Sequence, residues 1–169
     1  MIKQPQPPGF QDHVYQFSFV IEAGEEHIWQ WLNDTRTFTD TQVWPWKVEF
    51  YSPDAKRIPN GFHEKVLTNH FGPFINLAGE LVKIDHNYRD LQYFYGSYAI
   101  SFRWIRPYRL EFRTELKGDS TEVQCTLRSY VKPFIARFWT RSQKMFWGRF
   151  KGWSRRSIRK IAKLSLVPS

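Results

Sequence analysis

The run PFIARFWTRSQKMFWGRFKGWSRRSIRKIAKL, residues 133–164, decides how the rest of the chain is read. Ile135, Trp139, Ser142, Phe146, Phe150, Trp153, Ser157, Ile161 and Leu164 recur at steps of three and four, the spacing of one helix face. Arg137, Arg141, Lys144, Lys151, Arg155, Arg159 and Lys163 form a second stripe, roughly opposite. Pro133 suits a first helical turn, where its missing N–H costs nothing. Gly148 and Gly152 each weaken an isolated helix by about 1 kcal/mol, so packing has to hold this one together. A helix of this length spans roughly 45 Å, and its basic face is too polar to cross a bilayer. It is therefore predicted to lie along an apolar surface built by the residues before it.

Those residues read as strands. Residues 1–11 are rich in Pro and Gln and are expected to be a flexible N-terminal segment, leaving 12–169 as a single domain. From His13 to Glu22 the side chains alternate, with Tyr15, Phe17, Phe19 and Ile21 on one side, as in a half-buried strand. Glu25 to Leu32 reads as a short helix with acids in its first turn and Ile28, Trp31 and Leu32 inward; Asp34 to Val43 reads as a second. Six alternating runs follow: Val48–Ser52, Phe62–Phe71, Ile75–Asp85, Leu91–Phe102, Arg109–Leu116 and Val123–Val131. The hairpin turn Lys117-Gly118-Asp119-Ser120 joins the last two. Strands joined this way make an antiparallel meander with one face needing cover, and only the long C-terminal helix is large enough to supply it. The fold class is α+β.

Composition narrows the function. The net charge of +9 is uneven: residues 1–122 carry 13 cations and 16 acids, whereas residues 123–169 carry 12 cations and no acid. Either the basic helix face keeps the protein solvated, or it attracts an anionic surface, lipid before nucleic acid. Aromatics make up 18% of the chain, more than an ordinary core needs, which fits an unusually bulky core or an apolar pocket. The single Cys125 excludes an internal disulfide and points to a reducing compartment. MIKQPQPPGF has no apolar signal-peptide core, and no run of 18 apolar residues occurs, so a cytoplasmic protein, with peripheral membrane contact as an option, is expected. His63 and His70, placed on one strand seven residues apart, face opposite ways and share no metal; no nucleotide-binding or hydrolase motif occurs, and no cofactor is expected.

Several local patterns resemble the START-like superfamily, also called SRPBCC, and within it the polyketide cyclase/dehydrase and lipid-transport group. Ile21-Glu22-Ala23 followed by Glu26-His27-Ile28-Trp29 resembles that group's strand-to-helix entry. Asp34, Phe38 and Trp44-Pro45-Trp46 resemble its second-helix exit, and Gly118-Asp119-Ser120-Thr121-Glu122-Val123 its Gly-x-x-Thr-x-Val hairpin. Lys132-Pro133 and Met145-x-x-Gly148 resemble its C-terminal helix. The likeness covers about residues 13 to 164 and rests on the order and spacing of these motifs together. It implies a helix-grip fold, a curved antiparallel sheet of six to seven strands around the long helix, with an apolar cavity between. The helix here is more basic than that pattern requires.

The resemblance and the aromatic excess together imply a site that binds a small hydrophobic ligand, such as a lipid or polyketide-like molecule. Its expected lining is Tyr95, Trp104, Phe112 and Leu127 from the sheet and Phe138, Ser142, Met145 and Phe146 from the helix, with Trp44 and Trp46 near the mouth. Arg149 or Ser142 would be a polar anchor. Arg103, Arg106 and Arg109, around Trp104 and Pro107, are either a solvated bend or a guanidinium cluster at the mouth. Non-catalytic binding is the first reading. A cyclase- or aromatase-like enzyme in the same cavity, with His70 as its acid or base, is the second; a membrane-surface or regulatory protein with a filled core is the third. The seven-cation stripe from Arg137 to Lys163 is the expected membrane surface.

Overall fold

Alternation of apolar and polar residues lays down β1 (Gln11–Ile21), with Phe19 and Ile21 buried and Ser18 and Val20 outward. Two short helices follow, α1 (Glu25–Asn33) and α2 (Thr35–Thr39). The chain then runs through β2 (Lys47–Tyr51), β3 (Leu67–Gly72), β4 (Ile75–Asp85), β5 (Tyr88–Tyr93), β6 (Tyr98–Ala99), β7 (Ile105–Lys117) and β8 (Ser120–Val131). A 3-10 turn at Pro133–Ile135 leads into α3 (Ala136–Leu164). This is a computed structural model that describes residues 4–39, 45, 47–54, 56–58, 63–99 and 103–164.

All eight strands form one antiparallel sheet in the order β1-β8-β7-β5-β4-β3-β2, with β6 bridging β4 and β7. Consecutive strands pair from β2 to β5 and from β6 to β8, and the first strand pairs with the last, in register from Gln11–Val131 to Ile21–Thr121. Register breaks between Leu81 and Lys83 and between Pro107 and Arg109. Such bulges bend a strand and increase its twist. The sheet wraps α3, and α1 closes one end, where Trp31, Phe38, Phe50, Phe112, Trp147, Phe150 and Trp153 interlock with ring centroids 4.9–6.2 Å apart. Beyond their area, aromatic pairs of this kind contribute about 0.5–1.5 kcal/mol each.

α1 is fastened at both ends. The Trp29 indole N–H donates to Thr114 Oγ1 at 2.8 Å, and the Thr114 hydroxyl donates to Glu25. At the far end the buried Arg89 guanidinium donates to the Leu32 carbonyl at 2.7 Å and to Asn33 Oδ1, bringing positive charge to the negative end of the helix dipole. Gly79 lets β4 and β5 pass closely, since a Cβ there would stand 2.6 Å from the Gln92 carbonyl oxygen.

Several expectations are corrected. The run Leu91–Phe102 is not one strand: β5 ends at Tyr93, the chain turns at Tyr95-Gly96, where Gly96 has φ +97°, and β6 is separate. His63 and Glu64 lie outside β3, in a bend where Lys65 has φ +71°, so the single strand assumed for His63 and His70 does not exist. Leu116 alternates as read but is 59% exposed, because the β7–β8 hairpin projects past the core. From Gln4 onward the N-terminal segment makes contacts with the sheet. The Gln4 amide donates to the carbonyls of Tyr93 (3.0 Å) and Phe94 (2.6 Å), and Phe10 lies under Arg106 and Lys132.

The buried side of α3 also differs. Trp139, Gln143, Trp147, Phe150, Ser154 and Ile158 are buried, whereas Ser142, Phe146, Trp153 and Ser157 of the predicted stripe are half-buried. The helix is gripped by β1 and α1 on one side, through pairs such as Phe17–Trp147 and Trp31–Trp153. The predicted stripe is the side turned toward a cavity.

Candidate functional site

Between α3 and the concave sheet lies a cavity of about 390 Å³, within the range of small-molecule sites. Its walls are largely apolar. Leu77 and Leu81 of β4, Leu91 and Tyr93 of β5, Leu110 and Phe112 of β7 and Leu127 of β8 form the sheet side. Trp139, Gln143, Phe146, Trp147, Phe150 and Trp153 of α3 form the roof. The cavity reaches the surface at Phe74, Phe138 and Met145, which are 68%, 57% and 52% exposed. Phe74 sits in the β3–β4 turn Gly72-Pro73-Phe74-Ile75 with φ +64°, a conformation a side chain disfavours.

Of the residues expected at the site, the structure brings together Phe112, Leu127, Phe138, Ser142, Met145, Phe146 and His70, all on the cavity wall. Three do not line it. Tyr95 is 68% exposed in the turn after β5, because the strand expected to hold it ends two residues earlier. Trp104 packs edge to face on Phe134, centroids 4.9 Å apart, just before β7. Arg149 projects to solvent from α3. Trp44 and Trp46 lie outside the described residues. Ser142 donates to the Phe138 carbonyl at 3.0 Å, so its hydroxyl is already engaged with the helix.

The arginine cluster is not at the mouth. Arg109 pairs with Asp90 at 2.9 Å and reaches Tyr88, whose hydroxyl donates to Glu111; Arg128 pairs with the same Glu111 at 3.1 Å. Arg106 stacks over Phe10 and Arg103 over Tyr98. This network lies on the outer face of the sheet, since Arg109 and Glu111 alternate with the inward Leu110 and Phe112.

The cavity itself is sparsely polar. His70 is half-buried against it, with its ring edge-on to Tyr93 at 5.5 Å, and burial pushes its imidazole down to about 4. Burial likewise raises the Tyr93 phenol far above its ordinary value and lowers Arg89 to about 9, leaving Arg89 cationic at neutral pH. Lys47, also on the wall, adds a second cation, and no Asp or Glu is among the described lining residues. Thr68, Arg89, Tyr93, Gln143 and Phe74 were not singled out in the sequence. The shared face of Thr68 and His70, two residues apart, was the available signal. Among the described residues no group of three His, Cys, Asp or Glu side chains could hold a metal.

The basic stripe is divided. Arg155 donates to the Val20 carbonyl of edge strand β1 at 2.8 and 3.1 Å, and Arg159 pairs with Glu22 at 2.9 Å, so part of it does have an acid to neutralise it. Arg137, Arg141 and Lys144 are exposed, as is Arg149; Lys151 is half-buried, and the Lys163 side chain lies outside the described ones. Trp147 is buried and donates to Gln143 Oε1 at 3.0 Å. Among the described residues, no helix is long and apolar enough to cross a membrane.

No protein-family model and no curated protein matches the chain. Solved structures do. Norcoclaurine synthase from Thalictrum flavum, in complex with dopamine and hydroxybenzaldehyde, aligns with TM-score 0.63 and 13% identity over 100% of this chain and 98% of that one. Protein MLL2253 from Mesorhizobium loti aligns with TM-score 0.62 and 13% identity over 88% and 98%. Ara h 8.0201 aligns with TM-score 0.55 and 8% identity over 89% and 99%. At these identities the likeness is one of fold.

Proposed function

We propose that this chain, which has the helix-grip fold of the START-like superfamily, binds a small hydrophobic molecule between its sheet and α3. The observation that carries the reading is the apolar cavity of about 390 Å³, open to the surface beside Phe74, Phe138 and Met145. An apolar molecule of lipid or polyketide-like character would displace poorly held water from such walls, at roughly 25 cal/mol per Å² of apolar surface removed from water. Binding without catalysis is the simpler use of the site, since its wall holds two basic side chains and one neutral imidazole and, among the described residues, no carboxylate. The cavity also weighs against the filled-core alternative. Titration with a hydrophobic fluorophore tests the reading: saturable binding is expected, weakened by Ser142→Trp, which would push an indole into the cavity. A linear, non-saturating signal would refute it.

One observation favours loading at a membrane. Phe138, Arg141, Met145 and Arg149 follow one another at helical spacing beside the mouth, with Lys144 adjacent and all exposed. Apolar side chains ringed by cations suit an anionic leaflet, where each Lys or Arg contributes about 1 kcal/mol. Co-sedimentation with phosphatidylserine vesicles should fall as salt rises and drop when Arg141, Lys144 and Arg149 become Gln. Equal binding to neutral phosphatidylcholine vesicles would refute the electrostatic part.

A further inference from the structure

Three polar side chains of the cavity wall, Thr68, His70 and Tyr93, lie on the two strands that flank β4. Thr68 of β3 and Tyr93 of β5 both pair in register with the same residue of the strand between them, Gly79. A glycine at the middle of that row lets the Tyr93 ring lie close against the strand: a Cβ on Gly79 would stand 3.1 Å from Tyr93 Cδ1. His70 lies two residues along β3 on the face of Thr68 and meets Tyr93 edge to face at 5.5 Å. Thr68 and Tyr93 are each only 3% exposed, and all three line the cavity.

Thr68 Oγ1 is buried without a partner, and among the described residues no side-chain hydrogen bond engages the His70 ring or the Tyr93 hydroxyl. Buried polar groups are ordinarily satisfied, so the unpartnered Thr68 hydroxyl, with His70 and Tyr93 near it, marks where a partner is missing. Burial keeps His70 neutral at pH 7, so its ring offers one donor and one acceptor. Of the two cations on the wall, Arg89 is four residues from Tyr93, roughly 13 Å along β5, and is turned to the end of α1, and Lys47 stands at the exposed start of β2.

We infer that Thr68, His70 and Tyr93 form a polar patch on the cavity wall that receives a neutral hydroxyl or carbonyl oxygen, making the ligand a mostly hydrocarbon alcohol, phenol or ketone and not a carboxylate. The inference rests on the hydrophobic-ligand reading of the cavity and gives it a polarity: oxygen at the β3–β5 side, hydrocarbon along Leu81, Leu91, Leu110 and Phe112.

Three matched probes test it on the full chain by calorimetry at pH 7: 2-naphthol, 2-methylnaphthalene and 2-naphthoate. 2-Naphthol should bind about tenfold tighter than its methyl isostere, and tighter than naphthoate. Thr68→Val and Tyr93→Phe keep shape and remove hydroxyls, so each should shrink the naphthol preference while leaving 2-methylnaphthalene affinity unchanged; circular dichroism checks that both fold. Equal affinity for naphthol and methylnaphthalene, or a preference unmoved by both variants, would overturn the polar patch and leave the apolar site standing. Tightest binding of naphthoate would overturn it in favour of an anionic ligand. Failure of both neutral probes to bind would overturn the cavity reading itself, and the patch with it.

Discussion

The neutral imidazole inside the cavity makes stability fall with acid in a way that can be computed. His70 titrates at about 4 in the folded chain against 6.5 when exposed, and burial is the cause. Between those values the unfolded state holds a proton that the folded state refuses, so stability rises with pH across this window and is lost as pH falls through it. At 1.36 kcal/mol per unit, the full loss is about 3 kcal/mol by pH 4, and about 2 kcal/mol is already gone at pH 5. Lys47 and Arg89 also border the cavity, so the groups there oppose the proton and do not attract it. His13, half-buried and likewise lowered by burial, adds a loss of the same sign, as do the paired carboxylates Asp34 and Glu111 when protonated at lower pH. Urea denaturation of the native chain and of His70→Leu at half-unit steps from pH 4.5 to 7.5 separates these terms. The difference between the two curves should change with pH, the native chain losing about 2 kcal/mol more than the variant between pH 7 and 5. Parallel curves would show that the folded imidazole accepts a proton as freely as the unfolded one, and the dry, apolar cavity inferred around it would fall.

Three further outcomes follow from packing. Thr114→Val should cost about 1–3 kcal/mol in chemical denaturation, because the buried Trp29 indole N–H loses its acceptor while the volume is unchanged. Gly79→Ala should lower the melting temperature, with a loss of about 1–3 kcal/mol, since the added Cβ meets the Gln92 carbonyl at 2.6 Å and that atom belongs to the sheet. Phe74→Gly should leave stability unchanged or raise it by up to about 1 kcal/mol, relieving φ +64°, yet weaken fluorophore binding by stripping the mouth of an aromatic ring.

Much of this architecture could be read before the structure because its elements carry strong local signals. β1, β7, β8 and α3 are long and periodic, and the strand–helix–helix–strands–helix order leaves few topologies. What escaped is governed by non-local contacts. The run from Leu91 onward stays apolar and aromatic through the turn at Tyr95-Gly96, so periodicity could not show that pairing passes from β5 with β7 to β6 between β4 and β7. Tyr95 and Trp104 were misplaced for that reason. The helix face was offset because Gln143 and Ser154 look solvent-facing by type, yet both are buried, Gln143 as acceptor for Trp147 and Ser154 as donor to the Lys151 carbonyl. The polar patch was hidden for a sharper reason: its members lie on β3 and β5, and only the register through Gly79 brings them together.

The aromatic excess, which composition alone divides between a bulky core and a lined pocket, serves both. Under α1 the rings of Trp31, Phe38, Phe50, Phe112, Trp147, Phe150 and Trp153 touch one another, and all but Trp31 also line the cavity. On the sheet side the wall continues with the smaller Thr68, Leu77 and Ala99. The cavity of about 390 Å³ between these walls, with Thr68, His70 and Tyr93 among its polar lining, is the feature on which the proposed binding of a small hydrophobic molecule rests.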